Sequence, residues 1–327
     1  MIKWGVIGTG HMANIFAESI QEIDNAKLVA VSSRTKKSLE IFGDRFNIMK
    51  NFRFISNEEI CASEDINAIY ISTLNNTHFD LIKLCAVNKK NILCEKPFCL
   101  NLNEAKELKK IIITNKVMFF EAIAYLSHPQ TDKIIDLINN NEIGEIISIE
   151  STFGFKVRKI DPESRLFNKK LGGGVILDVG CYPMSFISLF LKNRNRIFFN
   201  KVEGEICHTN VDIAASANIT INDKIECKIT ISLKEYFKNN SIIKGTKGNM
   251  IIGFPWSPEK KVFFEVYNKS RYYKNFVHSE LSVYANQIKN VSNEFLKNNN
   301  DNKSRLSDIS KSLANMTQLD HWMQNIE

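Results

Sequence analysis

The sequence contains few glycines and prolines, and its cysteines follow no recognisable pattern. The 14 glycines and 6 prolines among 327 residues are typical of a globular chain without long disordered linkers. The 7 cysteines are odd in number and show neither CxxC pairs nor zinc spacing, which favours free, mostly buried thiols. No apolar run reaches the length of a membrane span, and the chain opens on a strand-like segment rather than a secretory signal. We therefore expect a cytoplasmic protein that binds no membrane.

The charged residues form no concentrated patch. The net charge is +7, but the lysines and arginines are spread along the chain among acids and asparagines. A solvated surface explains this distribution better than a nucleic-acid-binding groove does. No group of histidines and acids has the spacing of metal ligands, so no metal is expected. The length suffices for two domains of ordinary size.

The opening of the chain predicts a dinucleotide-binding unit. A short apolar run ends in a glycine turn, after which the apolar periodicity becomes that of a helix. Gly8 permits the tight turn, Gly10 lets the backbone approach a pyrophosphate, and Ala13 allows close packing of the helix on the strand. The neighbouring residues of the turn belong to the expected cofactor site: Thr9, His11 and Met12.

The end of the second predicted strand, Lys27–Arg34, indicates which cofactor binds. An NAD-selective site would place an acid here, about 20 residues beyond the glycines, and the sequence has none. Instead, Ser33 and Arg34 end the strand, with Lys36 and Lys37 just behind. These residues suit a 2′-phosphate, so we expect NADP, with NAD possible. A basic helix start without a cofactor role is the alternative interpretation.

Two further strand ends are predicted to face the same ligand crevice, because carboxyl ends of parallel strands line it. The strand Ala68–Thr73 leads into a polar loop, and the strand Asn91–Cys94 leads into Glu95-Lys96-Pro97. Lys96 is placed to project into the crevice. Packing or helix capping explains His78 about as well as cofactor binding does. The expected cofactor contacts at these two ends are Thr73, Leu74, Asn76, His78, Glu95 and Lys96.

Several motifs, in a fixed order, resemble those of one known family. They are Gly8-x-Gly10-x-x-Ala13, Glu95-Lys96-Pro97, Phe120-Glu121-Ala122 leading to His128-Pro129, and the glycine-rich run from Leu171 to Tyr182. Together they resemble the oxidoreductases named for glucose–fructose oxidoreductase, inositol dehydrogenase and the MocA proteins. The chain is most similar to the dihydrodiol and xylose dehydrogenase branch, whose members carry Tyr where inositol dehydrogenase has His.

The resemblance implies an α/β fold of two domains. Residues 1–122 are expected to form a Rossmann domain with a doubly wound parallel sheet. Residues 123–327 are expected to form an α+β domain with a large, mostly antiparallel open sheet, and strand-like patterns from Ile146 onward agree. In the family the open face commonly serves dimerisation, so a homodimer or homotetramer is expected. The segment Asn290–Ser304 is predicted to be exposed, and Leu306–Ile326 to be a closing helix.

The resemblance also implies a chemistry for the glycine-rich run. Tyr182 is the expected acid/base, Lys96 lowers its proton affinity and contacts the substrate oxygen, and Asp178 orients a substrate hydroxyl or Lys96. The glycines are expected to start a helical turn whose free N–H groups face a ligand. Asp178 and Tyr182 share a face if Pro183 does not interrupt the helix. Further candidate substrate contacts are His128 and Arg165.

The implied reaction is hydride transfer between a nicotinamide cofactor and a sugar, polyol or small vicinal diol. One alternative is an enzyme that retains NAD during glycoside or nucleotide-sugar conversion. The other is a regulator that senses the cofactor without catalysis. The presence of both Lys96 and Tyr182 argues against a regulator, because a site that no longer catalyses a reaction has no need to retain them.

Overall fold

A computed structural model describes residues 1–190, 196–268, 271–297 and 305–326. These residues form two compact units, residues 1–127 with 281–314 and residues 128–280 with 315–327. The first boundary lies close to the division expected after residue 122. Residues 281–314, which the sequence placed in the second domain, belong to the first unit.

The described elements alternate between helix and strand at first and then become largely strand. The helices are α1 (His11–Ser19), α2 (Lys36–Arg45), α3 (Asn57–Ala62), α4 (His78–Val87), α5 (Leu102–Asn115), α6 (Pro129–Asn139), α7 (Cys181–Ser188), α8 (Val283–Lys297) and α9 (Ile309–Gln324). The strands are β1 (Ile2–Ile7), β2 (Ala26–Ser32), β3 (Arg53–Phe54), β4 (Ala68–Ile71), β5 (Asn91–Cys94), β6 (Phe119–Glu121), β7 (Ile146–Gly154), β8 (Ile197–Ile206), β9 (Asp212–Ile221), β10 (Ile225–Ser232), β11 (Asn240–Gly245), β12 (Gly248–Gly253), β13 (Lys261–Asn268), β14 (Tyr272–His278) and β15 (Ser307–Asp308).

The first unit contains the predicted doubly wound sheet. Its strand order is β15-β6-β5-β4-β1-β2-β3, and every neighbouring pair is parallel except β15 with β6. The order reverses between β1 and β4, so the carboxyl ends of these two strands form the switch point at which such sheets bind ligands. The loops after β1, β2, β4 and β5 carry the predicted cofactor residues.

The helix α8 corrects the prediction that the segment from Asn290 is exposed. Trp4 of β1 is fully buried, its ring lies 5.5 Å from that of Phe295, and its Nε1 donates to Ser292 Oγ at 3.1 Å. The buried residues Ile288, Val291 and Phe295 recur at helical spacing, the asparagines of α8 are half-buried, and its lysines are exposed. The end of the predicted segment, 298–304, lies outside the described residues.

The second unit contains the predicted open sheet. Its strand order is β14-β13-β12-β11-β7-β10-β9-β8, antiparallel throughout except for the parallel pair β7 and β10. Both edge strands, β8 and β14, were missed in the sequence. Each has only exposed or half-buried residues, and lysines, asparagines or glutamates interrupt its apolar residues, so neither pattern indicates a buried strand.

Two expectations from composition can be compared with the structure. All seven cysteines are free and buried, as predicted. One stretch among the described residues, Lys169–Ser188, is long and apolar enough to cross a membrane, an exception to the expected absence of such a run. Its apolar window is 78% buried inside the protein, which is typical of a core helix.

Candidate active site

The glycine turn after β1 has the geometry that a pyrophosphate site requires. Gly8 has φ +105°, and a Cβ there would lie 2.9 Å from the backbone oxygen of Ser72. At Gly10 a Cβ would meet no atom of the described residues within 4 Å. Gly10 caps α1 without any side-chain hydrogen bond, and the first turn of α1 contains no acid. The N–H groups of this exposed helix start are therefore open to an anion.

The structure brings the glycine turn and the end of β2 together. The hydroxyl oxygens of Thr9 and Ser33 lie 3.3 Å apart. Arg34 is exposed and forms no ion pair within the described ranges, and no acid stands in the first turn of α2 behind it. These features fit the 2′-phosphate of NADP. Of the other predicted residues of the turn, His11 is exposed, Met12 is half-buried and Ala13 is fully buried.

His78, the first residue of α4, follows the loop after β4, and its side chain is completely buried. Its Nδ1 lies 2.8 Å from the carbonyl oxygen of Pro97, and its Nε2 lies 3.3 Å from that of Thr73. Burial lowers the pKa of His78, against the opposing effect of these two carbonyls. The ring therefore ties the loop after β4 to the loop after β5, and we interpret it as a positioning residue. The neighbouring candidates Leu74 and Asn76 are half-buried and exposed, respectively.

The loop that carries Lys96 is held on both sides of this half-buried lysine. Before it, Glu95 N–H donates to Ile71 O at 2.9 Å, and Glu95 Oε1 accepts the hydroxyl of Tyr70 at 2.5 Å. After it, His78 contacts Pro97, and Glu121 Oε1 accepts the N–H of Phe98 at 3.1 Å. The backbone that carries Lys96 is thus held in place on both sides.

In the second unit, Asp178 and Tyr182 lie one turn apart on a continuous helical stretch. A π-helical turn, Ile176–Gly180, passes directly into α7. The helix continues through Pro183 to Ser188, so this proline does not interrupt it. The Tyr182 ring packs 5.7 Å from that of Phe153 on β7. Turns of this wide kind occur frequently at functional sites.

The glycines before this helix do not leave N–H groups facing a ligand, which corrects the sequence prediction. The carboxylate of Asp212 on β9 accepts the Ile176 N–H at 2.7 Å and also contacts the Val175 backbone. Burial raises the pKa of Asp212, and these N–H groups oppose the shift. Gly174 has φ +119°, and a Cβ there would lie 2.2 Å from Asp212 Oδ1. The glycine at this position therefore admits the capping carboxylate.

The structure places both remaining substrate candidates in the second unit. Arg165 is exposed, and its Nη1 donates to Oδ1 of the buried Asp178 at 2.8 Å. His128 is fully buried, and its Nδ1 accepts the Gln130 N–H at 3.1 Å, which caps α6. Burial lowers the pKa of His128 to about 4, although the Glu259 backbone acts in the opposite direction. The neutral ring of His128 therefore caps α6, whereas the exposed Arg165 forms an ion pair with the buried Asp178.

Three residues that hold neighbouring segments in place carried no usable signal in the sequence. Tyr70 and Asp212 act through partners far away in the chain, so no local pattern marks them. Glu121 stands in a motif that carried the family resemblance, but nothing indicated its contact with Phe98. Within the described ranges, no group of three or more histidines, cysteines or acids is placed to hold a metal ion.

Comparison with known proteins gives consistent matches over most of the chain. Residues 2–123 match the model of the oxidoreductase family with an NAD-binding Rossmann fold, and residues 131–251 match that of the GFO/IDH/MocA C-terminal domain. The trans-1,2-dihydrobenzene-1,2-diol dehydrogenase of Xenopus tropicalis is 30% identical over 261 residues, which cover 78% of this chain and 77% of that protein. The D-xylose 1-dehydrogenase (NADP(+)) 2 of Haloferax volcanii is 26% identical over 212 residues, 63% of this chain and 62% of that protein.

A solved structure shows the same fold. It is a 3-ketoreductase from Actinomadura kijaniata in complex with NADP and TDP-benzene, with a TM-score of 0.88 and 19% identity, covering 100% of this chain and 98% of that chain. The matches confirm the resemblance to the dihydrodiol and xylose dehydrogenase branch. The chain therefore belongs to the GFO/IDH/MocA family of oxidoreductases and is an NAD(P)-dependent enzyme of that family.

Proposed function

We propose that this enzyme interconverts a CH–OH group and a carbonyl group of a sugar, polyol or small vicinal diol, with NADP as the preferred cofactor. The observation that carries the proposal is the bracing of both expected catalytic groups. The backbone on either side of Lys96 is held by hydrogen bonds, and Tyr182 lies on a helix capped by Asp212. Relatives named as diol and xylose dehydrogenases support the substrate class.

The preference for NADP rests on Ser33 and Arg34. In this proposal the open helix start after Gly10 holds the pyrophosphate, and Arg34 pairs with the 2′-phosphate. The exposed Lys36 and Lys37 add positive charge at the start of α2. The name of the Haloferax volcanii relative, which specifies NADP(+), supports this choice.

The bound cofactor supplies the hydride chemistry, and the protein supplies proton transfer and positioning. In oxidation, Tyr182 takes the proton of the substrate hydroxyl, and in reduction it returns a proton to the carbonyl oxygen. The Lys96 ammonium stabilises the negative charge on the substrate oxygen. Asp178, held by Arg165, accepts a hydrogen bond from a second substrate hydroxyl, which suits a vicinal diol.

We also propose that two copies associate through the open face of the eight-stranded sheet. On β13 the residues Phe264 and Val266 are buried, so Phe263 and Tyr267 point to the opposite face. They pair across to Phe276 and Tyr272 of β14, with ring centroids 5.6 and 4.7 Å apart. An exposed aromatic surface of this kind is typical of a protein interface.

The test is a screen of aldoses, polyols and vicinal diols with NADP⁺ and with NAD⁺, following nicotinamide absorbance and analysing products. Reduction of NADP⁺ coupled to oxidation of one of these substrates supports the proposal. Product formation without net change in free nicotinamide would instead identify an enzyme that retains its cofactor. Cofactor binding with no turnover across the panel, in either direction, would contradict the proposed reaction.

A further inference from the structure

Glu121, at the end of β6, is a buried acid that the proposed chemistry does not use. Its side chain is 4% exposed, and its backbone pairs with Cys94 of β5 on one side and Ser307 of β15 on the other. Burying a carboxyl group without compensating contacts carries a free-energy penalty. A hydrophobic residue would fill this position without that penalty. The contacts of the carboxyl group therefore indicate why an acid occupies it.

The carboxyl group holds the backbone immediately after Lys96. Oε1 accepts the Phe98 N–H at 3.1 Å, and Phe98 follows the lysine by two positions. Oε2 is buried and makes no well-formed hydrogen bond within the described residues, although the Ser312 hydroxyl lies close enough to influence the group. One oxygen thus anchors the loop, while the other is able to carry a proton without breaking that anchor.

The groups that face Glu121 are of both charges. The Lys96 ammonium and the Glu95 carboxylate of the loop interact electrostatically with Glu121. The Ser312 hydroxyl of α9 and the Phe98 N–H also affect its pKa. The charge of Glu121 in turn affects the pKa of Cys94 on β5. Burial raises the pKa of Glu121 to about 7, which Lys96 opposes and Glu95 reinforces. The carboxyl group therefore changes its charge beside Lys96 in the neutral range, and its ionised form favours the ammonium form of the lysine.

We infer that Glu121 is a positioning residue for Lys96, which fixes the loop through Phe98 and, when ionised, stabilises the lysine ammonium. The inference rests on the proposed role of Lys96. Glu121 lies outside the Glu95-Lys96-Pro97 motif, and its protonation state is linked to the charge of Lys96.

The experiment compares Glu121→Gln, Glu121→Ala and Glu104→Gln in the full enzyme with its cofactor. Glu104 is the matched control, because its Oε2 accepts the Leu100 N–H at 2.9 Å further along the same segment. Glu121→Gln keeps an acceptor for Phe98 but removes the charge, so we expect the alkaline limb of its kcat–pH profile to move about 1 unit lower. Glu121→Ala also frees Phe98, so we expect at least about a 10-fold loss in kcat and faster exchange of the Phe98 amide hydrogen, with NADPH affinity unchanged.

The same shift is then sought in the Lys96→Ala background. If Glu121 acts through Lys96, Glu121→Gln produces no further shift there, and Glu104→Gln leaves the profile unchanged in both backgrounds. An unchanged profile in folded Glu121→Gln, or an equal shift with and without Lys96, overturns the inference. Wild-type turnover by Lys96→Ala contradicts the proposed function instead, and amide exchange at Phe98 then tests the anchoring contact on its own.

Discussion

The Asp212 carboxylate accepts the Ile176 N–H at 2.7 Å and thereby caps the helical stretch that bears Asp178 and Tyr182. The cap comes from β9, 36 positions along the chain, so it fixes the helix to the sheet of the second unit. A side-chain cap inside the protein has two effects: it satisfies backbone N–H groups, and it sets where the helix begins. The position of Tyr182 thus depends on a residue outside its own motif.

Asp212→Ala is expected to destabilise the protein by about 1–2 kcal/mol, because it leaves buried N–H groups without an acceptor. Gly174→Ala is expected to be at least as damaging, since φ is +119° there and the new Cβ would meet Asp212. Gly253→Ala is the matched control, because a Cβ there meets no atom of the described residues within 4 Å. Urea unfolding gives the free energy of unfolding of all three variants. A decrease in Gly253→Ala as large as that in Gly174→Ala would contradict the role assigned to Gly174 and Asp212.

Arg34→Ala is expected to weaken NADPH binding by about 10- to 100-fold, because it removes a charge-assisted hydrogen bond to the 2′-phosphate. NADH affinity should not change, since NADH lacks that phosphate. Lys27→Ala is the control: it removes the same charge from an exposed position at the other end of β2. Fluorescence titration with both cofactors provides the measurement. Equal weakening of NADH and NADPH binding would show that Arg34 does not read the phosphate.

Glu121→Gln is expected to change how stability depends on pH. The pKa of Glu121 is raised from 4.5 to about 7 in the folded protein, so the folded state binds more protons than the unfolded state between these values. The contribution of Glu121 to the free energy of unfolding is therefore fully present below pH 4.5 and is lost as pH rises through 7. The total loss is about 3 kcal/mol.

His78 and His128 have the opposite effect. Their pKa values are lowered in the folded protein, so their contribution to the free energy of unfolding is lost as pH falls. Both histidines are present in wild type and variant, so the difference between the two isolates Glu121. We expect the stability of Glu121→Gln relative to wild type to increase from pH 5 to pH 8 in denaturant unfolding. A constant difference across this range would mean that Glu121 titrates normally.

Phe276→Lys is expected to weaken self-association, because Phe276 is 75% exposed on the aromatic face of β13 and β14. A charge placed opposite its own copy in a symmetric interface is repelled and poorly solvated. Ile41→Lys, at an exposed position on α2, is the control. Sedimentation velocity distinguishes the species. A wild-type protein that is monomeric, or an assembly unaffected by Phe276→Lys, would contradict the proposed interface.

The sequence sufficed for features that depend on local chemistry. Gly8 was predicted from its turn and has the positive φ that the turn demands, and the parallel sheet followed from buried strands alternating with helices. Features that depend on distant partners were not predictable. Asp212 resembles any strand acid until the fold places it at Gly174, and the asparagines of α8 concealed a helix whose apolar side meets Trp4.

His78 shows the same limit within the site. Its position after a strand end was read correctly, but the sequence left cofactor contact and packing equally open. The structure places both ring nitrogens against backbone carbonyls, a relation set by the loop after β5 and invisible in the local pattern. Residues that touch a ligand often stand in motifs, whereas residues that hold those motifs in place are scattered along the chain.

The turnover of Tyr182→Phe, measured together with its NADPH affinity, tests directly whether Tyr182 transfers the proton. We expect a kcat lower by about 100- to 10,000-fold, because general acid–base catalysis is lost. NADPH affinity should stay at the wild-type value, since the ring and its contact with Phe153 are retained. Nearly full turnover by Tyr182→Phe would contradict the assignment of Tyr182 as the proton-transfer group.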